Sequence, residues 1–476
     1  MIRFNKRKIF SVKEADNLSA VEIHELYKKF INPNQTKIFS SLPFGKDVFK
    51  YSEGVFLYTK KGKKILDFTG GLGVLGLGHN HPKILKTRIE FQKKKKVEVH
   101  KIIFSQYMAA LSNNISNLLL SNLTKSFFLN SGAEAVEAAI KVCFKSYEGK
   151  KKYILYSDKS YHGKLIGSGS ISGSYKIEKN FPTMNNCVSF RFNDYKNLEK
   201  KIIKCHKNGG VYCVIIEPFS ASLLESCSNE FITKLFELRK KYNFKVIFDE
   251  VFTGFYKSKK MFYFQNFIGI EPDAICLSKT LGGGKSSISC MVVNDKTYLK
   301  AYGKINDTFL HTTTYNGFGE ESVTALEALN ILANPKFEKK VNNLSTLLNQ
   351  KLIELNLKHK DKIEKIKGNG ILNGIIFKSP TDKIENFIQR IPLKMIKDKK
   401  FFLKKLIATS ISCELYAKYN ILTSINDSAS SNHLCVSPSL IIDKKNVEYF
   451  FSCLDKILSK KINYYPLKVI FDYMKN

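Results

Sequence analysis

Between residues 120 and 295 the sequence alternates short apolar runs with helix-forming stretches, and no other feature constrains the fold as tightly. The apolar runs cover residues 126–129, 153–156, 211–216, 245–248 and 273–278. Each is too short for a helix and is bounded by turn residues, so each is expected to be a buried strand. Helical segments lie between them, for instance over 229–242, and strands joined in that way form a doubly wound, mostly parallel α/β sheet. Such a sheet keeps its chemistry at the carboxyl ends of its strands. There, the run 245–248 delivers Asp249, and the run 273–278 delivers Lys279 ahead of Gly282-Gly283-Gly284. The run 126–129 leads into Asn130-Ser131-Gly132-Ala133-Glu134, a strand, a small-residue turn and a helix start, where unpaired backbone N–H groups favour an anion.

One lysine among 71 means little alone, so the rest of the chain has to support the assignment. A length of 476 residues calls for two or three domains. The net charge of +35 would suggest a nucleic-acid or membrane partner if it were concentrated. It is spread along the whole chain, with only six arginines, so no nucleic acid and no membrane is expected as partner. The ten cysteines form no CxxC pair and no Cys/His group with zinc spacing, so no metal site is expected. The scattered cysteines, the lack of a secretory leader and the lack of an apolar stretch near 20 residues lead us to expect a soluble cytoplasmic protein.

Upstream, residues 54–68 read as a hairpin around Lys61-Gly62-Lys63. The run 70–78 carries so many glycines that it suits an active-site wall, and Pro82 suits the first turn of the following helix. Apolar residues recur at helical spacing over 105–122. Beyond 335 two long helical stretches and short strands at 371–377 and 433–436 predict a smaller α+β domain.

Seven motifs stand in order: Gly76-Leu77-Gly78-His79-Asn80-His81-Pro82, Asn130 to Ala135, Tyr161-His162-Gly163, Ile216-Glu217-Pro218, Asp249-Glu250-Val251, Ser278 to Gly284 and His311 to Gly317. With them the chain resembles the class III aminotransferases, pyridoxal 5'-phosphate (PLP) enzymes of fold type I, over about residues 43–460. The resemblance implies a large PLP-binding α/β domain at 81–334, an N-terminal segment at 1–80 packed with the small domain, and that small domain at 335–476. It implies that Ser131, Gly132 and Ala133 hold the cofactor phosphate, with Tyr161 stacked on the ring and Val251 on its other face. Asp249 would face the ring nitrogen and Lys279 would hold the cofactor as a Schiff base. His162 and Glu217 would complete the cofactor site. Thr314, with Thr313 beside it, would reach the phosphate of a neighbouring subunit, which implies a homodimer.

The substrate pocket departs from that pattern. Lys164 stands where family members acting on α-amino acids often carry an arginine, and a lysine lacks the bidentate fork. Ser222 replaces a common glutamate, Cys435 replaces an arginine often paired with it, and Phe252 replaces a glutamine. Because the acid and the base are lost together, no buried charge is stranded. The expected activity moves an amino group from an amine or amino acid donor to a ketone or aldehyde acceptor, the donor being an amine, an amino-sugar-like compound or a bulky ω-amino acid. An aminomutase of the glutamate-1-semialdehyde type shares the fold and forms one alternative. A binding protein that has lost catalysis forms another.

Overall fold

The computed structural model describes residues 9–173, 181–378, 399–428 and 431–460. Its centre is a seven-stranded sheet built from β4 (Leu123–Leu129), β5 (Tyr153–Ser157), β6 (Cys187–Phe190), β7 (Val211–Ile216), β10 (Lys245–Asp249), β11 (Ala274–Leu277) and β12 (Ser289–Asn294). The spatial order is β4-β12-β11-β10-β7-β5-β6. β5, β6, β7, β10 and β11 pair in parallel, whereas β12 runs antiparallel to both of its neighbours. The largely parallel sheet expected from the apolar runs is therefore present. Strand β12 was not separated from the glycine-rich turn before it, because an antiparallel insertion in a fully buried sheet shows the same unbroken apolar run as its neighbours.

Alternate residues of one strand enter two different cores. Val246 and Phe248 pack with helices Tyr195–Lys207 and Asn229–Tyr242, while Ile247 packs with helix Gly132–Lys145 on the opposite face. This two-sided burial is why these strands lack the polar alternation of a half-exposed sheet. The amino end of β10 carries a buried charge network. Asp273 accepts from Arg239, Lys245 and Asn294 and from the Val246 N–H, so its carboxylate is paired on every side.

Two smaller sheets flank the large one. The first joins β1 (Phe49–Glu53), β2 (Phe56–Thr59) and β3 (Lys64–Asp67) to β15 (Ile421–Leu422), so the hairpin near the start of the chain pairs with a strand from near its end. The second is antiparallel, ordered β13 (Ile363–Asn369), β14 (Leu372–Phe377), β17 (Ser431–Val436), β16 (Ile425–Ser428). A short hairpin, β8 (Phe219–Ser220) with β9 (Glu225–Ser226), follows β7 directly. Two-residue strands of this kind carry no periodicity that a sequence could display. Among the described residues no helix is long and apolar enough to cross a membrane.

Candidate active site

Five of the parallel strands or the turns after them bring side chains to one end of the sheet. β10 ends on Asp249, three register positions from Lys279: Asp249 pairs with Cys276 of β11, and the chain then turns through Ser278 into Lys279. β7 ends beside Glu217, β4 runs into Ser131, and the loop after β5 carries Tyr161 and His162.

Asp249 is 5% exposed, and each of its oxygens is occupied on one side. Oδ1 accepts the Val251 N–H at 3.0 Å, and Oδ2 lies 2.7 Å from His162 Nδ1. A carboxylate can only accept here, so the His162 ring donates through Nδ1. Its Nε2 is buried without a partner. His162 thus stands against Asp249 and orients it.

Lys279 is half-buried, with its backbone in the left-handed region at φ 51. Its Nζ donates to Leu72 O at 2.9 Å and sits 4.2 Å from the centre of the Phe252 ring. Burial pulls the amine's pKa down to about 8, against the charges of Asp249 and Glu217, which push it up. An amine tuned in this way is partly neutral at physiological pH and is available as a nucleophile.

The acceptor comes from the glycine-rich run. Gly70, Gly71, Leu72 and Gly73 all take positive φ, and this left-handed turn presents the Leu72 and Gly73 carbonyls towards Lys279 and its neighbours. A Cβ on Gly73 would lie 3.1 Å from a Phe252 ring carbon and 3.4 Å from Lys279 Cδ, so glycine is what allows the close approach. The base of the run is tied down by Asp67, which accepts from Thr69 and pairs with His79 at 2.8 Å. Arg88 braces the turn after Lys279 through Lys285 O and Ser286.

Helix Gly132–Lys145 starts beside Asp249's strand, where a Cβ on Gly132 would meet Val251 at 2.8 Å. Ser131 and Glu134 form a capping box: the Ser131 hydroxyl takes the Glu134 N–H, and the Glu134 carboxylate takes the Asn130 and Ser131 N–H groups. First-turn N–H groups of Gly132 and Ala133 have no acceptor within the helix and remain suited to an anion.

Glu217 is fully enclosed and accepts the Tyr161 N–H at 2.8 Å and the Ala221 N–H at 3.1 Å. It therefore ties the Tyr161 loop to the hairpin that carries Ser222. Burial drives its carboxyl up to about 7. Tyr161 leaves 42% of its surface open at the mouth of the site.

The four residues singled out for the pocket are distributed unevenly. Phe252 lies under Lys279. Ser222 is buried, and its carbonyl accepts from the Asn426 amide at 3.0 Å. Asn426 pairs with His433 across β16 and β17, and Cys435 follows two residues on, bonded through its N–H to Ser424 O. Ser222 and the Cys435 strand are thus joined through Asn426, which sequence inspection did not single out. Cys435 is pushed up to about 11 by burial, and His433 is pushed down to about 4 by burial and the Lys367 charge, so these two side chains are uncharged near neutrality. Lys164 is exposed on the loop after Gly163. The three described arginines are paired elsewhere, Arg88 with Glu320, Arg191 with Asp194 and Arg239 with Asp273.

Thr314 is exposed and Thr313 half-buried, and no hydrogen bond links either side chain to the Asp249–Lys279 group in this chain. Glu250, beside Asp249, points the other way: it accepts from Tyr263 N, Phe264 N and the Thr253 hydroxyl and serves the fold.

Comparison with known proteins gives a consistent result. The model of the family described as "Aminotransferase class-III" matches residues 45–458. An acetylornithine/succinyldiaminopimelate aminotransferase of Buchnera aphidicola is 29% identical over 433 residues, covering 89% of this chain and 95% of the relative. An acetylornithine aminotransferase of Clostridium acetobutylicum is 31% identical over 71% of this chain and 85% of its own length. Among solved structures, a transaminase from Virgibacillus superposes with a TM-score of 0.79 at 19% identity, covering 93% of this chain and 99% of that one. The ornithine aminotransferase of Toxoplasma gondii gives 0.77 at 18% identity, covering 96% and 99%.

Proposed function

The chain belongs to the class III aminotransferases and is a PLP-dependent transaminase, and from that premise we propose that Lys279 and Asp249 are its catalytic pair and that its donor carries a terminal amine on a chain whose other end bears an amide in place of a free α-amine. The observation that carries the assignment is the placement of the Lys279 amine and the Asp249 carboxylate at the ends of adjacent parallel strands, next to a helix start with free donors. The aminomutase alternative finds no support among relatives that are themselves aminotransferases, and a non-catalytic binding role is set aside with it.

The residues present fit the cofactor. Asp249 has spare lone pairs beyond its two bonds, His162 and the Val251 N–H hold it in place, and Gly132 and Ala133 offer N–H donors for a phosphate. PLP, when bound, supplies an aldehyde for amine exchange and a ring that accepts the electron pair released at the substrate carbon. In this reading Asp249 would face the ring nitrogen and its negative charge would favour a proton there. Lys279 would hold the cofactor through its amine, and that amine, when free, would move the proton at the substrate carbon. Phe252 would exclude water beneath that amine, and Tyr161 and Val251 would flank the ring. Ser131, already engaged with Glu134, would contribute its hydroxyl only by exchanging that bond.

The donor follows from the charges around the site. Every described arginine is paired elsewhere, so among the described residues a substrate carboxylate would fall to Lys164 or to main-chain donors. The neutral set Ser222, Asn426 and Cys435 suits an amide, as on a diamino acid acylated at its α-nitrogen, of the kind named for the relatives. A homodimer accompanies this reading. Ile102, Phe104, Phe309 and Tyr315 expose large apolar surfaces, and Lys101 bonds Thr313 O at 3.2 Å, bringing the two segments together beside Thr314. A second copy of the chain would cover them. Ten free cysteines suit a reducing, cytoplasmic setting.

Loading the purified enzyme with PLP and screening amines for bleaching of its visible band tests the donor. N-acetylornithine-type donors should bleach the band faster than ornithine or simple dicarboxylic amino acids. The reverse ranking would refute the amide reading. Lys279→Ala should abolish multiple turnover, and retained turnover would remove Lys279 from the mechanism.

A further inference from the structure

Lys257 lies in the loop that leaves β10, only eight residues after Asp249, and the fold carries it inward until 1% of its surface is exposed. Its Nζ donates to Gly73 O at 3.0 Å and to Thr280 Oγ1 at 3.2 Å. The Thr280 hydroxyl itself donates to Gly73 O at 3.1 Å, closing a three-membered cluster. Gly73 follows Leu72, whose carbonyl holds the Lys279 amine, and Thr280 follows Lys279. Both amines also stand on the same aromatic ring, Lys257 Nζ 5.8 Å and Lys279 Nζ 4.2 Å from the centre of Phe252. Among the described residues neither amine has a carboxylate within ion-pair distance.

Burying an amine without a counter-ion is costly, and a hydrocarbon of similar length would fill the same space more cheaply. The amine does something a methionine could not. It joins the left-handed Gly70–Gly73 turn to the residue that follows Lys279, and the turn supplies the acceptor for Lys279. Burial lowers the pKa of Lys257 well below the usual lysine range, and the Lys279 charge lowers it further, against a smaller opposite pull from Glu250. The amine can therefore serve as a hydrogen-bonding staple without placing a second full charge beside Lys279.

We propose that Lys257 is a positioning residue for the reaction: by bridging Gly73 O and Thr280 Oγ1 it fixes the turn and the backbone that aim the Lys279 amine. The proposal rests on Lys279 being the reacting amine. It assigns a role to a residue that would otherwise count as core packing.

The test compares Lys257→Met and Lys257→Gln in the full-length holoenzyme. Loss of the staple frees Gly73 O and Thr280 Oγ1 as acceptors near Lys279, which favours its charged form. In Lys257→Met the pH midpoint of the cofactor's visible band should move upward, and kcat should fall about tenfold with KM nearly unchanged, as expected of a misaimed group. In the cofactor-free full chain, the pH dependence of Lys279 acylation by acetic anhydride, mapped by mass spectrometry, should move the same way. Lys257→Gln keeps a neutral NH2 donor that can bond Gly73 O and should restore much of kcat. If Lys257→Met does not fold, Lys257→Leu gives the same readings. A variant that loses only thermal stability, with the midpoint and kcat of the parent, overturns the proposal, as does failure of Lys257→Gln to exceed Lys257→Met in kcat. Turnover by Lys279→Ala would instead overturn the premise, so the two failures are distinguishable.

Discussion

Replacing Glu217 with glutamine isolates the consequence of its charge, because the amide has the shape of the protonated acid. In the parent enzyme the two oxygens accept one backbone N–H each, from Tyr161 at 2.8 Å and Ala221 at 3.1 Å. Burial raises the carboxyl from 4.5 to about 7; His162 and the two N–H groups oppose the rise, and Asp249 adds to it. An acid whose folded pKa lies above its unfolded value binds its proton more tightly when folded. Its contribution to stability is full below about pH 4.5 and is lost as the pH rises through about 7. A shift from 4.5 to about 7 sets a ceiling of roughly 3 kcal/mol on that loss. The amide does not titrate, but its NH2 cannot turn away from a backbone N–H as a carboxylic O–H can, which costs about 1 kcal/mol. Glu217→Gln should therefore be slightly less stable than the parent near pH 5 and more stable by about 2 kcal/mol near pH 8. Glu250, also raised to about 7, is common to both proteins and drops out of the difference. Urea unfolding of the cofactor-free proteins at pH 5, 6, 7 and 8 measures the gap. A gap independent of pH, or one in which the variant falls further behind as the pH rises, would mean that the two N–H groups outweigh burial and that the physical account of Glu217 is wrong. The same substitution removes a negative charge that raises the Lys279 pKa, so the Lys279 midpoint should fall below about 8.

Other substitutions examine the remaining parts of the site. Asp249→Asn keeps an acceptor for the Val251 N–H but turns an NH2 towards His162, forcing the other tautomer on that ring. Turnover should fall on the order of a thousandfold or more while the fold is retained, as seen by circular dichroism. Gly132→Ala places a methyl 2.8 Å from Val251, an overpacking cost of about 1–3 kcal/mol, and should weaken cofactor binding more than it lowers the melting temperature of the cofactor-free protein. Thr314→Ala should weaken cofactor retention although Thr314 makes no bond to the site of its own chain. Mixed dimers of Thr314→Ala and Lys279→Ala subunits would show whether the threonine acts across the interface, since only that arrangement leaves one intact site.

Most of the frame was legible in the sequence because it depends on local pattern. Apolar runs of four to six residues ending in Asp249, Glu217 and Lys279 identify strands, and the carboxyl end of a parallel strand is where a ligand binds. The capping box Ser131-Gly132-Ala133-Glu134 marks a helix start from four adjacent residues. Strand β12, the two-residue strands β8, β9 and β15, and the pairing of β3 with Ile421–Leu422 were not legible, since each is defined by a partner far away in the chain.

The placement of an acid and an amine at adjacent strand ends, beside a helix start suited to an anion, was determined by the sequence, because residue type and strand order suffice to specify it. What surrounds that chemistry was decided by tertiary structure. One lysine among 71 becomes a buried staple only because the loop after β10 folds back onto Gly73 and Thr280. Asn426 joins Ser222 to the Cys435 strand only because β16 lies beside Ser222. Equally, the Lys279 amine is lowered to about 8 and the Glu217 carboxyl raised to about 7 by burial, a property of the packed interior that no residue carries in its own identity.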